Sequence, residues 1–402
     1  MGGSKDSKED ILLRALLRFV GWSGLVALAA GLSITTASAA EDVVGHVYVN
    51  DNTAGTNTIA GFDRHSDGSL TPIDGSPFNA GGQGTGTIVG SQGALQASSD
   101  GRYLLAVDAG SNQVSVLRIL RDGGLRRVGR GPVSSGGVEP ISVAVHGNLV
   151  YVANEGDKVT GTGSNYTGFR LNEGGHLAPI AGSTFDLPNT ANPGDILFNS
   201  TGRNLIGVEV GTTVAGTFLI DSFVVDEDGR ITPAAGSPFP AQAAGPFSSE
   251  FSPVNPSHLY VSNAHGGAGN GSVSAFRVTH DGALSSIGSS PFADGQTAPC
   301  WVEISHDGAY LWTVNTASTT ISSYRIQADG SLSLVTSTAF KSGTGIRPFD
   351  ARLSADGSTL YVVDAAIAKV SAFAVSGGLL SELAQSPLAL PGGATPFGIV
   401  AI

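Results

Sequence analysis

Cysteine is nearly absent. Cys300 stands alone in 402 residues, so no intrachain disulfide can brace the fold. Positive charge is also scarce: 21 Lys and Arg face 33 Asp and Glu, for a formal net charge of −12. Residues 1 to 39 carry four Lys/Arg against three Asp/Glu, which leaves −13 on the remainder and a surface that repels a phosphate backbone. The one basic cluster, "LRRVGR" around Arg126 and Arg127, reads as a solvated strand face, so nucleic acid is not an expected partner. Long apolar runs are missing too, apart from "FVGWSGLVALAAGL" at Phe19 to Leu32. That run is short for a membrane span and is followed by Ala37 and Ala39 in A-x-A spacing, which predicts a signal peptide over residues 1–39. Export to the periplasm or medium follows, with no membrane attachment after cleavage.

Glycine is abundant, at 57 residues, and argues for many turns instead of long helices. The segment "DGSLTPIDGSPF" (67–78) returns as "DGRITPAAGSPF" (228–239). Aligned on its last residue, it recurs at Phe78, Val133 ("RGPV"), Phe185, Phe239, Phe292, Phe340 and Leu388, with spacings of 55, 52, 54, 53, 48 and 48 residues. A second motif keeps phase with it, ending at Asn50, Asp108, Asn154, Glu209, Asn263, Asn315 and Asp364, as in "VYVAN" and "LYVSN". Alternation of large apolar residues makes each copy a strand, and "SSDGRY", "SHDGAY" and "SADGST" before three of them are Asp-Gly turns. A third strand, as in "GSVSAFRV", and a further Asp-Gly turn into a fourth complete the unit.

Seven four-stranded antiparallel units predict an all-β, seven-bladed propeller over residues 40–402, with strands A to D running outward in each blade. The A–B and C–D turns share one face. The B–C loops and the D-to-A crossings share the other, where propellers usually bind ligands. The repeated Ser-Pro-Phe end is blade grammar, with its Phe packing between blades. The first strand, "VVGHVYVN", lacks an A strand before it, whereas the C-terminal "ATPFGIVAI" matches the start of one. Ala394 to Ile402 should therefore close the ring beside Val43 to Asn50, removing exposed edges.

These repeats resemble the seven-bladed propeller lactonase family, which includes the propeller type of 6-phosphogluconolactonase and the carboxymuconate-cyclising enzymes. The resemblance implies a hydrolase opening a sugar lactone or related small ester on the B–C-loop face, with Arg-His after an A-strand proline and Asn-Glu after a B strand. Here the A strands read "PISVAV", "PGDILF", "PFSSEFS", "PCWVEIS" and "PFDARLS", and none has Arg-His. The one Asn-Glu pair is Asn154 and Glu155, and Arg347 precedes its proline.

The acid, base or cation candidates on the expected face are Glu155, Glu209, His265, Asp350 and Arg347. His265 lies in the glycine-rich loop "NAHGGAGNGS", and Arg347 is the cation for an anionic substrate. Asp195, Trp301, Asn154, Asn263 and Asn315 are the candidate ligand contacts, Trp301 either as a stacking surface at the channel mouth or as packing between blades. Asx residues at strand ends also cap their own turns. No cofactor is required, although the carboxylates and amides offer hard oxygens to Ca²⁺ or Mg²⁺. The loops "EGDKVTGTGSNYTG" and "NAGGQGTGTIVGSQG" are long enough to lid a pocket or to decorate a scaffold. The partner is a lactone or sugar-like molecule for a monomeric enzyme. The alternative is a non-catalytic propeller that presents this face to a protein or glycan.

Overall fold

A computed structural model describes residues 42–402, apart from 213 and 215. Residues 1–39, where a signal peptide is expected, lie outside the described residues. The described chain forms seven antiparallel sheets, each ordered D-C-B-A. The A strands are Leu95–Ala97, Pro140–His146, Pro193–Phe198, Pro246–Ser252, Pro299–Ile304 and Pro348–Leu353 in blades 2 to 7, with Ile399–Ala401 completing blade 1. They touch one another in a closed cycle around a central channel. Buried B strands follow, from Val43–Asn50 in blade 1 to Thr359–Asp364 in blade 7. The molecule is thus a seven-bladed β-propeller.

Ring closure takes the expected form. Val47, Tyr48 and Val49 pair with Ala401, Val400 and Ile399. Backbone bonds extend the seam, His46 N–H donating to the Ile402 carbonyl at 2.9 Å and Thr395 N–H to that of Asp51 at 2.9 Å.

The D strand departs from the expected single strand. In six blades it is split into two pieces, both paired to the C strand, and only blade 6 keeps a continuous one, Leu332–Ala339. The repeated serine explains the detour. Ser76, Ser237, Ser290 and Ser386 place Oγ 2.7–3.0 Å from the amide N–H groups of Gly61, Ser222, Ala275 and Ala372, accepting the bonds that an unbroken ladder would have taken. The phenylalanine that follows packs between blades as expected: Phe185 meets Phe223 of the next blade edge-on at 4.9 Å, and Phe340 meets Phe373 at 5.1 Å.

A latch between blades adds to this packing. The B-strand tyrosines Tyr48, Tyr151, Tyr260 and Tyr361 donate their hydroxyl protons to the carbonyls of Gly123, Gly229, Gly330 and Gly68, each the glycine of the next blade's C–D turn, at 2.7–3.0 Å. Trp312 occupies the same position and its indole N–H reaches the Gly378 carbonyl at 3.0 Å. Blade 4 carries Ile206 there, and Ser222 Oγ reaches the Gly282 carbonyl at 2.7 Å instead.

Candidate functional site

The long crossing into blade 2 occupies the channel. Ser91 and Gln92 are buried, and their bonds reach blades 3 to 6. Ser91 Oγ donates to the Ile141 carbonyl at 2.7 Å, and Gln92 N–H to that of Gly194 at 3.1 Å. The Gln92 side chain donates to the Ser249 carbonyl at 3.1 Å and accepts from Val302 N–H at 3.0 Å. Blade 7 joins through Gly93, whose N–H lies 3.3 Å from Asp350 Oδ2. This segment is a plug, neither a lid nor loose decoration.

Around it stand the residues two positions after each A-strand proline: Ser142, Asp195, Ser248, Trp301 and Asp350, all buried. Asp195 Oδ2 accepts from Ser249 N–H at 2.9 Å and Oγ at 2.8 Å. Burial pushes the Asp195 carboxyl up to about 7, against the pull of those bonds. Burial likewise raises Asp350 to about 6, with Arg352 opposing. Two residues further along, blades 5 to 7 offer Glu250, Glu303 and Arg352; the Arg352 guanidinium lies 3.0 Å from Glu303 and 3.9 Å from Glu250. Burial holds both glutamates above the usual carboxylate range, Arg352 notwithstanding. A polar cavity of about 170 Å³ lies under the plug, with Gln92, Asp195, Glu250 and Arg352 on its walls. Glu250, Glu303 and Arg352 were not among the sequence candidates, although a charge at the fifth A-strand position in "PFSSEFS", "PCWVEIS" and "PFDARLS" marks them.

Trp301 gathers with Asp195 and Asp350 around the plug, but not as a stacking surface. It is 1% exposed, with Phe349 at 4.5 Å and Phe247 at 5.3 Å, and its indole N–H donates to the Ser91 carbonyl. Asn154, Asn263 and Asn315 are also turned inward. Their amides donate to Asn165, to Ser272 and Ser274, and to Thr320 and Ser322, so each ties the end of a B strand to its own C strand.

Glu155, Glu209, His265, Asp350 and Arg347 do not share one pocket. Asp350 lies in the channel. Glu209 is buried against Asp221, both carboxyls raised by burial. His265 is exposed on its loop, edge-on to Phe218 at 6.5 Å, its pKa lowered by partial burial. Arg347 is exposed over the Phe349 ring at 5.7 Å.

Glu155 does line a pocket on the B–C-loop face, of about 290 Å³. Its walls come from the B–C loop of blade 3 (Glu155, Lys158, Ser164), the crossing into blade 4 (Asn189, Asn192) and the next B–C loop (Thr212). Glu155 Oε1 sits 2.6 Å from Lys158 Nζ, and the buried Ser164 hydroxyl on the wall has no hydrogen-bond partner among the described residues. Among the described residues no three His, Cys, Asp or Glu side chains form a group that could hold a metal ion.

Comparison with known proteins agrees with this architecture. Residues 223–396, from the C strand of blade 4 to just before the closing strand, match the family model described as lactonase, 7-bladed beta-propeller. That stretch is similar to the lactonase family of seven-bladed propellers. No curated protein matches significantly. Among solved structures, a protein from Bacteroides fragilis provisionally described as a 6-phosphogluconolactonase is 18% identical, with a TM-score of 0.70 over 90% of this chain and 99% of its own. A similarly described protein from Bacteroides uniformis is 20% identical, with a TM-score of 0.69 over 89% and 98%. The periplasmic gluconolactonase of Pseudomonas aeruginosa is 16% identical, with a TM-score of 0.68 over 89% and 98%. At these identities the likeness is one of fold.

Proposed function

We propose that the protein is an exported hydrolase of sugar lactones or related small esters, working in the pocket beside Glu155. The observation that carries this reading is the pairing of Glu155 with Lys158 in a polar pocket of about 290 Å³, on the face where the lactonase resemblance expects chemistry. In the proposed reaction the Glu155 carboxylate takes a proton from a water that adds to the lactone carbonyl carbon. Lys158 balances the charge growing on the carbonyl oxygen. The ring C–O bond then breaks, and the alkoxide recovers the proton from Glu155, giving the open hydroxy acid. Ser164, Asn189, Asn192 and Thr212 offer hydrogen bonds to sugar hydroxyls. The pocket needs no cofactor for this chemistry; Ca²⁺ or Mg²⁺ dependence is an arm of the test.

The plugged channel and the missing Arg-His favour one other reading, a non-catalytic propeller that binds a protein or glycan. A panel of sugar lactones, glucono-δ-lactone included, separates the two when acid release is followed with and without Ca²⁺. The hydrolase reading expects Glu155→Gln to lower kcat by about 10²- to 10⁴-fold and Lys158→Ala to weaken turnover, with His265→Ala unchanged. No release above background across the panel leaves the binding propeller.

A further inference from the structure

Blade 2 breaks the repeat at one place, and a cavity lies there. The residue that pairs with the second C-strand position is Phe78, Phe185, Phe239 and Phe292 in blades 1, 3, 4 and 5, and Leu388 in blade 7. In blade 2 it is Val133, opposite Val114. Its neighbour changes as well. Where blades 1, 3 and 5 carry Gly61, Gly168 and Ala275, blade 2 carries Val116. The two changes are linked, since a Cβ at Gly61 would lie 2.9 Å from the Phe78 ring. Val116 thus takes the inner part of the space a ring would fill, and the outer part stays open.

The result is a cleft of about 450 Å³ between blades 2 and 3, with Val114, Val116, Val128, Val133 and Leu177 on its walls and Arg130 and His176 as its titratable lining groups. No carboxylate lines it. Arg130 is exposed and, like Arg126 and Arg127 on the same stretch, makes no salt bridge among the described residues. In a chain of net charge −12 this is a local positive field beside an apolar wall.

We infer that the cleft between blades 2 and 3 is a second binding site, for a small amphipathic anion: an aromatic or branched aliphatic carboxylate. Its apolar body fills the volume the missing phenylalanine leaves, and its carboxylate meets the Arg130 guanidinium at the rim. The volume lies within the range of small-molecule sites. The inference is independent of the Glu155 pocket, which the loops on the opposite side of blade 3 build with blade 4 and which shares no lining residue with the cleft.

The test uses the full chain and naphthalene-2-acetate, followed by its fluorescence and by calorimetry, with 2-naphthaleneethanol as the uncharged counterpart. Saturable one-to-one binding of the acid is expected, weakened about three- to tenfold by Arg130→Ala and to a similar extent in the alcohol. The double variant V116A/V133F copies the Ala275 and Phe292 pair of blade 5, so it should fill the cleft, abolish binding and leave lactone turnover as in the parent. Should the double variant not fold, V133L, which copies Leu388 of blade 7, reports the same effect in smaller measure. Binding that survives the filling variants overturns the site, and equal affinity for acid and alcohol overturns the charge recognition. Capture by phosphatidylglycerol vesicles without binding of the free acid would assign the patch to a lipid surface and overturn the proposal.

Discussion

The indole N–H of Trp301 donates to the carbonyl of Ser91 across the channel at 2.9 Å, joining residues 210 positions apart in the chain. Through this bond and those of Gln92, one crossing segment ties together the inner strands of several blades. The plug is therefore part of the stabilising structure of the ring.

Replacing Gln92 by Ala tests that role. It leaves the Val302 N–H and the Ser249 carbonyl without their partner in a buried place. An unfolding free energy lower by about 2–4 kcal/mol is expected, since each unmet buried group costs about 1–3 kcal/mol. Urea denaturation measures it, and a change within error would assign the plug no stabilising part.

The blade latch makes a graded prediction. Tyr151→Phe removes the hydroxyl that serves the Gly229 carbonyl, and a loss of about 1–2 kcal/mol is expected. Ile206→Val, at the same position in blade 4, touches no such bond and should cost only what a lost methylene costs, about 0.5–1.5 kcal/mol. Equal cooperative loss of neighbouring-blade protection in hydrogen exchange for both variants would refute the latch.

Arg352 is the cation among Asp195, Asp350, Glu250 and Glu303. Arg352→Met leaves these carboxyls without it, and a loss of about 3–5 kcal/mol at pH 8 is expected. The loss should shrink toward pH 5, where the carboxyls can take up protons. Thermal unfolding of the variant at both values checks this.

The parent protein should itself lose stability as pH rises. Asp51, Asp195 and Asp364 are raised by burial from 3.8 to about 7, and Asp108 and Asp350 to about 6. The folded state then binds more protons than the unfolded one between about pH 4 and pH 7. Stability from these groups is full below the unfolded value and is lost as pH climbs through the folded ones. A Tm at pH 5 above that at pH 8 is the expected result. The Arg64–Asp356 pair acts in the opposite sense, because Asp356 is held below its ordinary value, and it limits the gain on acidification.

Deleting residues 394–402 strips the partner strand from Tyr48 and its neighbours and reopens the edge of blade 1. Loss of the cooperative unfolding transition is expected, and unchanged melting would count against closure by this seam.

The sequence by itself determined the blade count, the strand order, the closing strand and the inter-blade place of Phe185 and Phe340, because each follows from local alternation, turn residues and a period. It also set aside the Arg-His pattern, since that is a matter of which residues follow a proline. Only the tertiary structure decided that Ser91 and Gln92 enter the channel, that Trp301 is spent on holding them, and that Glu155 meets Lys158 while His265 and Arg347 stand elsewhere. Those contacts depend on the path of irregular loops, where hydrogen bonds are made to distant blades and no periodic pattern records the partner. Glu250, Glu303 and Arg352 fall between the two cases: the fifth A-strand position was readable in the repeat, but their meeting required the ring to close.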